Sequence, residues 1–364
     1  MENKIIFGNR EVITVLINVI STKIFLNYPR MATEQGGTAG WIFTLYITLL
    51  AFLGFYIIQK LYKPVEGMDL IDIGEYAGGG IVRILVGTVV VVFLTYFTTV
   101  YLRTFSEDMK LVALTNSPLS FVELFFLVCM IVGAYFGLEA IVRLHAIAVP
   151  VIAVGFIIIV LGASNYIDFS ELFPIMGDGP SKIFVGGALK VSVYAELLLL
   201  FLMAPYIKTN KNFKFSGYWA LAISVFFLLT SVIVYVTVLP VPLALERTIP
   251  LFHLARLINY GRFFQRIESM FIIIWAAASM LFVTVNFYFI LNTFKKTFKL
   301  EYYKPLILPF AIIIMTISFL PGNLIDAVEL EVKYFRNWAW TVTFAMPIVL
   351  LLIVRARKRK HSKA

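Results

Sequence analysis

Cysteine is almost absent from this chain, since Cys129 is the only one among 364 residues. A single cysteine excludes an intrachain disulfide and any metal site built on cysteine pairs. Histidine is also scarce, and neither His145 nor His253 belongs to a metal-binding spacing. Nucleotide-binding loops, serine nucleophile elbows and zinc-binding helical motifs are missing as well. We therefore expect no enzyme and no cofactor.

Charge is the second scarcity, because only 14% of the residues are charged while 60% are hydrophobic. The mean hydropathy is +0.90. Apolar runs of about 20 residues recur, and only a membrane protein needs them. The net charge of +10 raises the possibility of nucleic-acid binding, but a bilayer with basic cytoplasmic loops explains it better. The first apolar run lacks a signal-peptide cleavage pattern, and we expect it to be retained.

Long apolar runs without a period of two favour transmembrane helices over a β-barrel. The pattern predicts an all-α polytopic membrane protein with ten transmembrane helices, in a single domain over residues 1–364. The predicted spans cover residues 11–31, 40–61, 81–102, 120–142, 147–166, 183–207, 216–239, 267–294, 305–320 and 338–354.

Lysine and arginine set the expected orientation. With a cytoplasmic N-terminus, 18 of these residues fall in cytoplasmic segments and 10 in outer ones, among them Arg103 and Arg336. The basic tail at 355–364 is the strongest single marker. We expect both termini to be cytoplasmic. Glu139 and Arg143, four residues apart at the end of the predicted fourth span, are expected to pair.

The two halves of the chain share a pattern. Long connections follow the second and the seventh spans, on opposite faces, and each contains a possible short helix, LIDIGEYA or LFHLARLI. This is the hydropathy signature of an inverted 5+5 repeat, with repeat one at about 8–167 and repeat two at about 181–356.

Polar residues interrupt the first and the sixth spans at similar depth. Ser21, Thr22 and Lys23 stand in the first, and Tyr194 and Glu196 in the sixth. Intramembrane charges are costly and mark functional sites. Broken helices expose backbone dipoles that suit a zwitterion such as an amino acid. Lys23 and Glu196 either form part of a ligand site or neutralise each other structurally. Lys190 lies nearer the outer surface and is interpreted as structural.

Other spans supply further candidates for a midplane ligand site. Ordinary helix packing is the alternative for each of them. The candidate ligand-binding residues are Ser21, Thr22, Lys23, Ile24, Tyr96, Val100, Val193, Tyr194, Glu196 and Phe282.

Three stretches resemble a known family. They are NVISTKIFLNYPRMAT at 18–33, SVYAELLLLFLMAPYI at 192–207 and GRFFQRIESMFIIIWA at 261–276. With the length and the ten spans, they make the chain similar to the B subunit of bacterial endospore germinant receptors. These receptors belong to the spore-germination permease family of the amino acid–polyamine–organocation superfamily. The resemblance covers nearly the whole chain.

The resemblance implies a LeuT-type fold with broken helices 1 and 6, and a sensor of a small nutrient germinant. It also implies the inner spore membrane, or a bacterial cell membrane, as location and A-type and C-type receptor subunits as partners. Relatives often carry a glycine-containing turn where this chain has Thr22, Lys23 and Ile24. A lysine ammonium there would replace a sodium ion, so we expect no sodium dependence. A proton-coupled amino acid permease and a membrane scaffold with a vestigial pocket are the alternatives.

Overall fold

The computed structural model of the protein describes residues 6–259 and 267–361, with side chains through 358. Of the third resembling stretch, 261–276, the part up to position 266 therefore lies outside the described residues. Fifteen α-helices are found in the described part: α1 Asn9–Ser21, α2 Tyr28–Gly36, α3 Gly40–Tyr62, α4 Leu70–Val112, α5 Leu119–Phe136, α6 Leu138–Gly162, α7 Leu198–Leu202, α8 Asn210–Val238, α9 Val241–Glu246, α10 Pro250–Leu257, α11 Ile267–Thr297, α12 Ile307–Ser318, α13 Leu324–Glu329, α14 Arg336–Trp340 and α15 Met346–His361.

Seven helical segments of the described part are long and apolar enough to cross a membrane. The predicted first and sixth spans are not among them, because each is interrupted near its middle. The predicted ninth span contains α12, which is apolar but only 12 residues long. The seven segments are Tyr28–Val65, Leu70–Val112, Leu119–Phe136, Leu138–Tyr166, Asn210–Val238, Ile267–Thr297 and Leu324–Lys358.

α1 packs against α6 and α8, and α11 packs against α4, α5 and α6. Apolar side chains of α1 and α11 belong to the main hydrophobic cluster. Large apolar side chains such as Leu49, Ile147 and Val151 are instead exposed on the outside of the bundle. An apolar exterior is what a hydrocarbon surrounding requires, since lipid tails are as apolar as these side chains.

The bundle has two ends. At the near face, Phe7 donates a backbone hydrogen bond to Tyr206 at 2.9 Å, and Lys296 contacts Asp69 at 2.5 Å. At the opposite end, the far face, the backbone of Asp168 donates to Thr237 at 2.8 Å. The interrupted segments lie between these two ends, so they are at mid-depth in the bundle.

Both short helices expected in the long connections are present. The first occupies the start of α4 and ends at a kink where Gly79 has φ 74°, a left-handed conformation that favours glycine. Asp69 caps it, because its side chain accepts from the backbone of Ile71 and Asp72. The second short helix is α10 on the far face.

Three predicted boundaries need correction. A break at Gly137 (φ 88°) ends α5, so Glu139 and Arg143 belong to α6 rather than to the preceding span; they do pair, at 2.5 Å. The predicted tenth span begins too late, since helical structure runs from Leu324. Arg103, assigned to an outer loop, is buried within α4 and pairs with Glu107 at 2.9 Å.

Candidate functional site

The first interruption follows α1. The α-helix ends at Ser21, and a 3₁₀ helix over Thr22–Phe25 replaces it before α2 begins at Tyr28. Pro29 lies in the first turn of α2. Its ring cannot follow an α-helical turn, because it lacks an N–H and clashes with the carbonyl four residues earlier. The departure from α-helix expected near Ser21–Ile24 is therefore observed, as a tighter helix rather than an open coil.

The second interruption precedes α7. A 3₁₀ helix occupies Ala188–Leu197, and Tyr194 within it has non-helical dihedral angles. Gly186 and Gly187 stand just before this segment and lower its helix propensity. A side chain at Gly187 would meet the ring of Phe43 at 2.9 Å, so the glycine also permits close packing. The expected departure near Ser192–Glu196 is thus observed as well.

Lys23 and Glu196 join the two interruptions. The Lys23 Nζ atom donates to both Glu196 carboxyl oxygens, each at 2.7 Å, and to the backbone carbonyl of Val193. Both side chains are buried. The lysine stands two residues after the end of α1, where the carbonyl end of the helix favours a cation. The ion pair between the two interrupted spans is therefore present.

A second ion pair, which the sequence pattern does not predict, lies beside the first. Arg336, which was assigned to an outer loop, is only 1% exposed. Its guanidinium donates to Glu331 Oε1 at 3.1 Å and to Glu196 Oε1 at 3.5 Å. It also donates to Tyr101 and to the carbonyl of Ser192, the latter at 2.8 Å.

The backbone explains how Glu331 and Arg336 meet. Side chains five residues apart point roughly 140° away from each other on an α-helix of 3.6 residues per turn. Here Leu330–Phe335 forms a π-helix, whose hydrogen bonds join residues five apart. The wider turn brings the two side chains to one side of the helix. Sequence hydropathy gives no signal for this, because two charges before an apolar run also fit a loop.

The cluster of Lys23, Glu196, Glu331 and Arg336 carries two positive and two negative charges when all four are ionised. Tyr101 supports it, donating to Glu331 at 2.7 Å. Buried charges are tolerated when they are paired and hydrogen-bonded. The arrangement binds the first and sixth predicted spans to the tenth by electrostatics rather than by apolar packing alone.

Of the remaining candidates on the first interruption, Ser21 and Ile24 line a void of about 20 Å³ between α1 and α6. The Ser21 hydroxyl is buried and has no hydrogen-bond partner among the described residues. Thr22 donates back to the carbonyl of Asn18 at 2.6 Å. Ser21, Thr22 and Ile24 therefore line the space between α1 and α6 and, within the described part of the chain, form no hydrogen bond to the ion pairs.

The other candidates surround the cluster at varying distance. Phe282 stacks on Tyr101 with ring centroids 4.8 Å apart. Val100, the residue before Tyr101 on α4, is buried. The Tyr194 hydroxyl bonds to Thr48 at 2.5 Å. Tyr96 instead lines an apolar groove with Phe294 and Phe310 and donates to the Leu330 carbonyl at 3.0 Å.

No group of three or more His, Cys, Asp or Glu side chains within residues 6–259 and 267–361 is arranged to hold a metal ion. The charged centre instead consists of an ammonium, a guanidinium and two carboxylates. Groups of these types form ion pairs and charge-assisted hydrogen bonds.

Solved structures establish the class of the fold. The transporter Mhp1, of the nucleobase-cation-symport-1 family, matches in its closed conformation with bound bromovinylhydantoin (TM-score 0.64, 11% identity, 98% of this chain and 93% of that chain). MhsT in complex with L-phenylalanine matches with a TM-score of 0.69, 12% identity and coverage of 97% and 89%. The chain is therefore an all-helical, multi-pass integral membrane protein with the LeuT-like transporter fold.

The sequence places the chain more narrowly. The model of the spore permease family, described as "Spore germination protein", matches residues 9–326, and the chain belongs to this family, which is not an enzyme family. Spore germination protein YndE of Bacillus subtilis (strain 168) is 26% identical over 352 residues, covering 95% of both chains. Spore germination protein A2 of the same organism is 25% identical over 357 residues, covering 96% of both.

Proposed function

We propose that this chain is the B-type membrane subunit of a spore germinant receptor, and that it binds a small nutrient germinant at mid-depth and signals its presence. The family and the printed names of the relatives support the role in germination. One observation carries the binding site: the Lys23–Glu196 pair, at 2.7 Å, joins the two interrupted helices of a transporter fold.

The proposed ligand is an amino acid. MhsT, which shares the fold, is solved in complex with L-phenylalanine, and a zwitterion matches a centre that holds both signs of charge. Its carboxylate would compete with Glu196 for the Lys23 ammonium, while Arg336 keeps Glu196 paired. The ligand-binding residues in this proposal are Ser21, Thr22, Lys23, Ile24, Tyr96, Val100, Val193, Tyr194, Glu196 and Phe282.

Binding there would favour one arrangement of the interrupted helices over another, which is all that any ligand can do to a two-state protein. The helix that carries Arg336 and Glu331 would respond, because both residues share the cluster with Glu196. The proposal places A-type and C-type subunits as the receivers of this signal, at the surface of the bundle in the inner spore membrane.

The proposed topology completes the seven detected spans to ten. Segments 11–31, 183–207 and 305–320 supply the missing crossings, in two inverted repeats at about 8–167 and 181–356. Both termini are cytoplasmic in this arrangement. Cysteines placed at Lys110 and at Lys211, in a Cys129→Ala background, should react with an impermeant reagent from opposite sides of the membrane. Labelling from the same side would reject the topology.

The alternative is a proton-coupled amino acid permease, which the transporter fold of Mhp1 and MhsT favours. Glu196 or Lys23 would then be the titrating group. Vesicles that contain only the purified chain distinguish the two functions when they receive radiolabelled amino acids and a proton gradient. Saturable binding without accumulation supports the sensor. Concentrative uptake supports the permease, and an absence of binding favours a scaffold.

Bulky substitutions test the site itself. Val100→Phe and Phe282→Trp should raise the ligand concentration needed for half-maximal binding, because Phe282 stacks on Tyr101 of the cluster and Val100 is the buried residue that precedes Tyr101 on α4. Val151→Phe is the matched control, since Val151 is 63% exposed on the outside of the bundle. Unchanged binding in the first two variants would place the ligand elsewhere.

A further inference from the structure

A cavity of about 360 Å³ opens at the far face, between α2, the segment after α9 and the α13 region. It is separate from the charged cluster at mid-depth, and its volume lies within the range of about 300–1,000 Å³ typical of small-molecule pockets. Its polar lining comes from Asn27, Arg30, Glu34, Glu246, Thr248, Glu329 and Lys333.

Asn27 is the first sign that the cavity holds a ligand. Its side chain is 94% buried, with 6% exposed, and its Nδ2 atom has no hydrogen-bond partner among the described residues. Asn27 is the residue before α2, yet its side chain does not cap that helix. A buried amide donor without a partner costs free energy, and a hydrogen-bond acceptor bound in the cavity would remove that cost.

Arg30 and Glu34 give an independent sign. They stand four residues apart on α2, a spacing that allows an ion pair. Four other pairs with this spacing are formed in the described part, among them Lys333–Glu329 at 2.5 Å. Arg30 and Glu34 form no such pair with each other or with any other described residue, although both line the cavity. Within the described residues neither charge is held in a close ion pair, and Glu34 acts on Lys190 and Lys333 only at longer range. Both side chains can therefore contact a third group.

The two charges are also ordered along the helix. Asn27 immediately precedes α2, Arg30 stands in its first turn, and Glu34 follows about one turn further on, at 1.5 Å per residue. The amide and guanidinium donors therefore lie deeper, and the carboxylate lies nearer the far surface, where Glu246 adds a second one. This order suits a molecule that enters with a carboxylate first and an ammonium behind it.

We propose that the far-face cavity is a second binding site for a free α-amino acid, whose carboxylate binds Asn27 and Arg30 and whose ammonium binds Glu34 and Glu246. The site goes beyond the proposed mid-depth site and does not depend on it. Asn27 stands four residues, about one turn, after Lys23, so the cavity lies on the way to the charged cluster. Binding in this cavity would raise the local concentration of the amino acid next to the charged cluster.

Thiol protection in the full-length protein tests this proposal. In a Cys129→Ala background, Val328→Cys places a single thiol in the cavity wall. A mixture of the standard amino acids at millimolar concentration should slow its reaction with an impermeant thiol reagent several-fold. The same mixture with N-acetylated amino groups should not, because it lacks the ammonium. Ser170→Cys, on the same face but outside the cavity, is the matched control and should react at an unchanged rate.

Variants separate this site from the central one. Asn27→Leu and Arg30→Gln should abolish protection, and Arg30→Lys should retain part of it because the charge remains. Val100→Phe, which affects the centre, should leave protection intact even if the proposed function fails. The proposal is overturned if no amino acid protects, if the N-acetylated mixture protects equally, if protection survives Arg30→Gln, or if it disappears in Val100→Phe.

Discussion

Arg336 donates a hydrogen bond of 2.8 Å to the backbone carbonyl of Ser192, across 144 residues of sequence. The acceptor belongs to the 3₁₀ segment that replaces an α-helix, where carbonyls are left free for other donors. Nearby, the backbone of Trp340 donates to the Ser192 hydroxyl at 2.8 Å. The irregular backbone of one segment is thus satisfied by the helix that faces it, as irregular structure inside a membrane requires.

This relationship predicts that Arg336 is essential for stability. Arg336→Met should lower the free energy of unfolding by about 3–5 kcal/mol, because Glu331 loses its buried counter-charge. Lys333→Met, three residues away, is the matched control. The pair of Lys333 with Glu329 is exposed, so losing it should not change the free energy of unfolding measurably. Thermal unfolding of both purified variants decides the matter; equal effects would contradict the buried cluster.

The pair of Lys23 and Glu196 predicts a non-additive double mutant. Lys23→Met or Glu196→Leu alone should cost about 3–5 kcal/mol, because each removes the nearest counter-charge of a buried ion. Lys23→Met combined with Glu196→Leu should cost less than the sum of the two single changes to apolar residues. The measurement is the unfolding free energy of all four proteins in the cycle. Strict additivity would show that the contact has no energetic weight.

Much of this site could be predicted from the sequence, because burying a charge leaves a strong signal. A lysine in the middle of one apolar run and a glutamate in the middle of another each need a buried counter-charge. In the structure these two side chains pair with each other. The departures from α-helix were also predictable from Pro29 and the Gly186–Gly187 pair. Hydropathy locates such faults without any knowledge of the packing.

Arg336 and Glu331 could not be predicted, for a physical reason. They stand where the hydropathy of the tenth span begins to rise, and charges there are common in surface loops. Only the π-turn makes them face one direction, and no sequence pattern specifies that turn. The boundary errors at Gly137 and Leu324 have the same origin, because helices extended beyond or broke within the apolar runs that defined the spans.

His253 on α10 predicts a pH dependence at the far face. Burial lowers its pKa below 6.5, and Arg247 and Arg256 lower it further. The unfolded chain therefore binds a proton more readily, so the stabilising contribution is complete above pH 6.5 and is lost as the pH falls toward the lower folded value. His253→Gln should reduce the fall in unfolding temperature below pH 6.5. An identical pH profile in wild type and variant would exclude His253 as a contributor.

Gly87 predicts a steric test of the contact between α4 and α11. A Cβ atom at Gly87 would lie 2.7 Å from the Cβ of Thr297, closer than two carbon atoms can approach without displacement. Thr297 is fully buried, and its hydroxyl donates to the Thr293 carbonyl at 2.7 Å, so it has little freedom to move. Gly87→Val should therefore destabilise the protein by about 1–3 kcal/mol, the usual cost of overpacking.

A second change makes this steric explanation falsifiable. Thr297→Gly removes the obstructing atoms, and in the Gly87→Val background it should restore part of the lost stability, even though it destabilises the wild-type protein on its own. Gly80→Val is a suitable control on the same helix, because a Cβ atom at Gly80 meets no atom within 4 Å. If Thr297→Gly makes Gly87→Val worse by the full cost of the single change, the two helices do not touch at this point. Compensation would show that the absence of a side chain at Gly87 sets how closely α4 approaches α11.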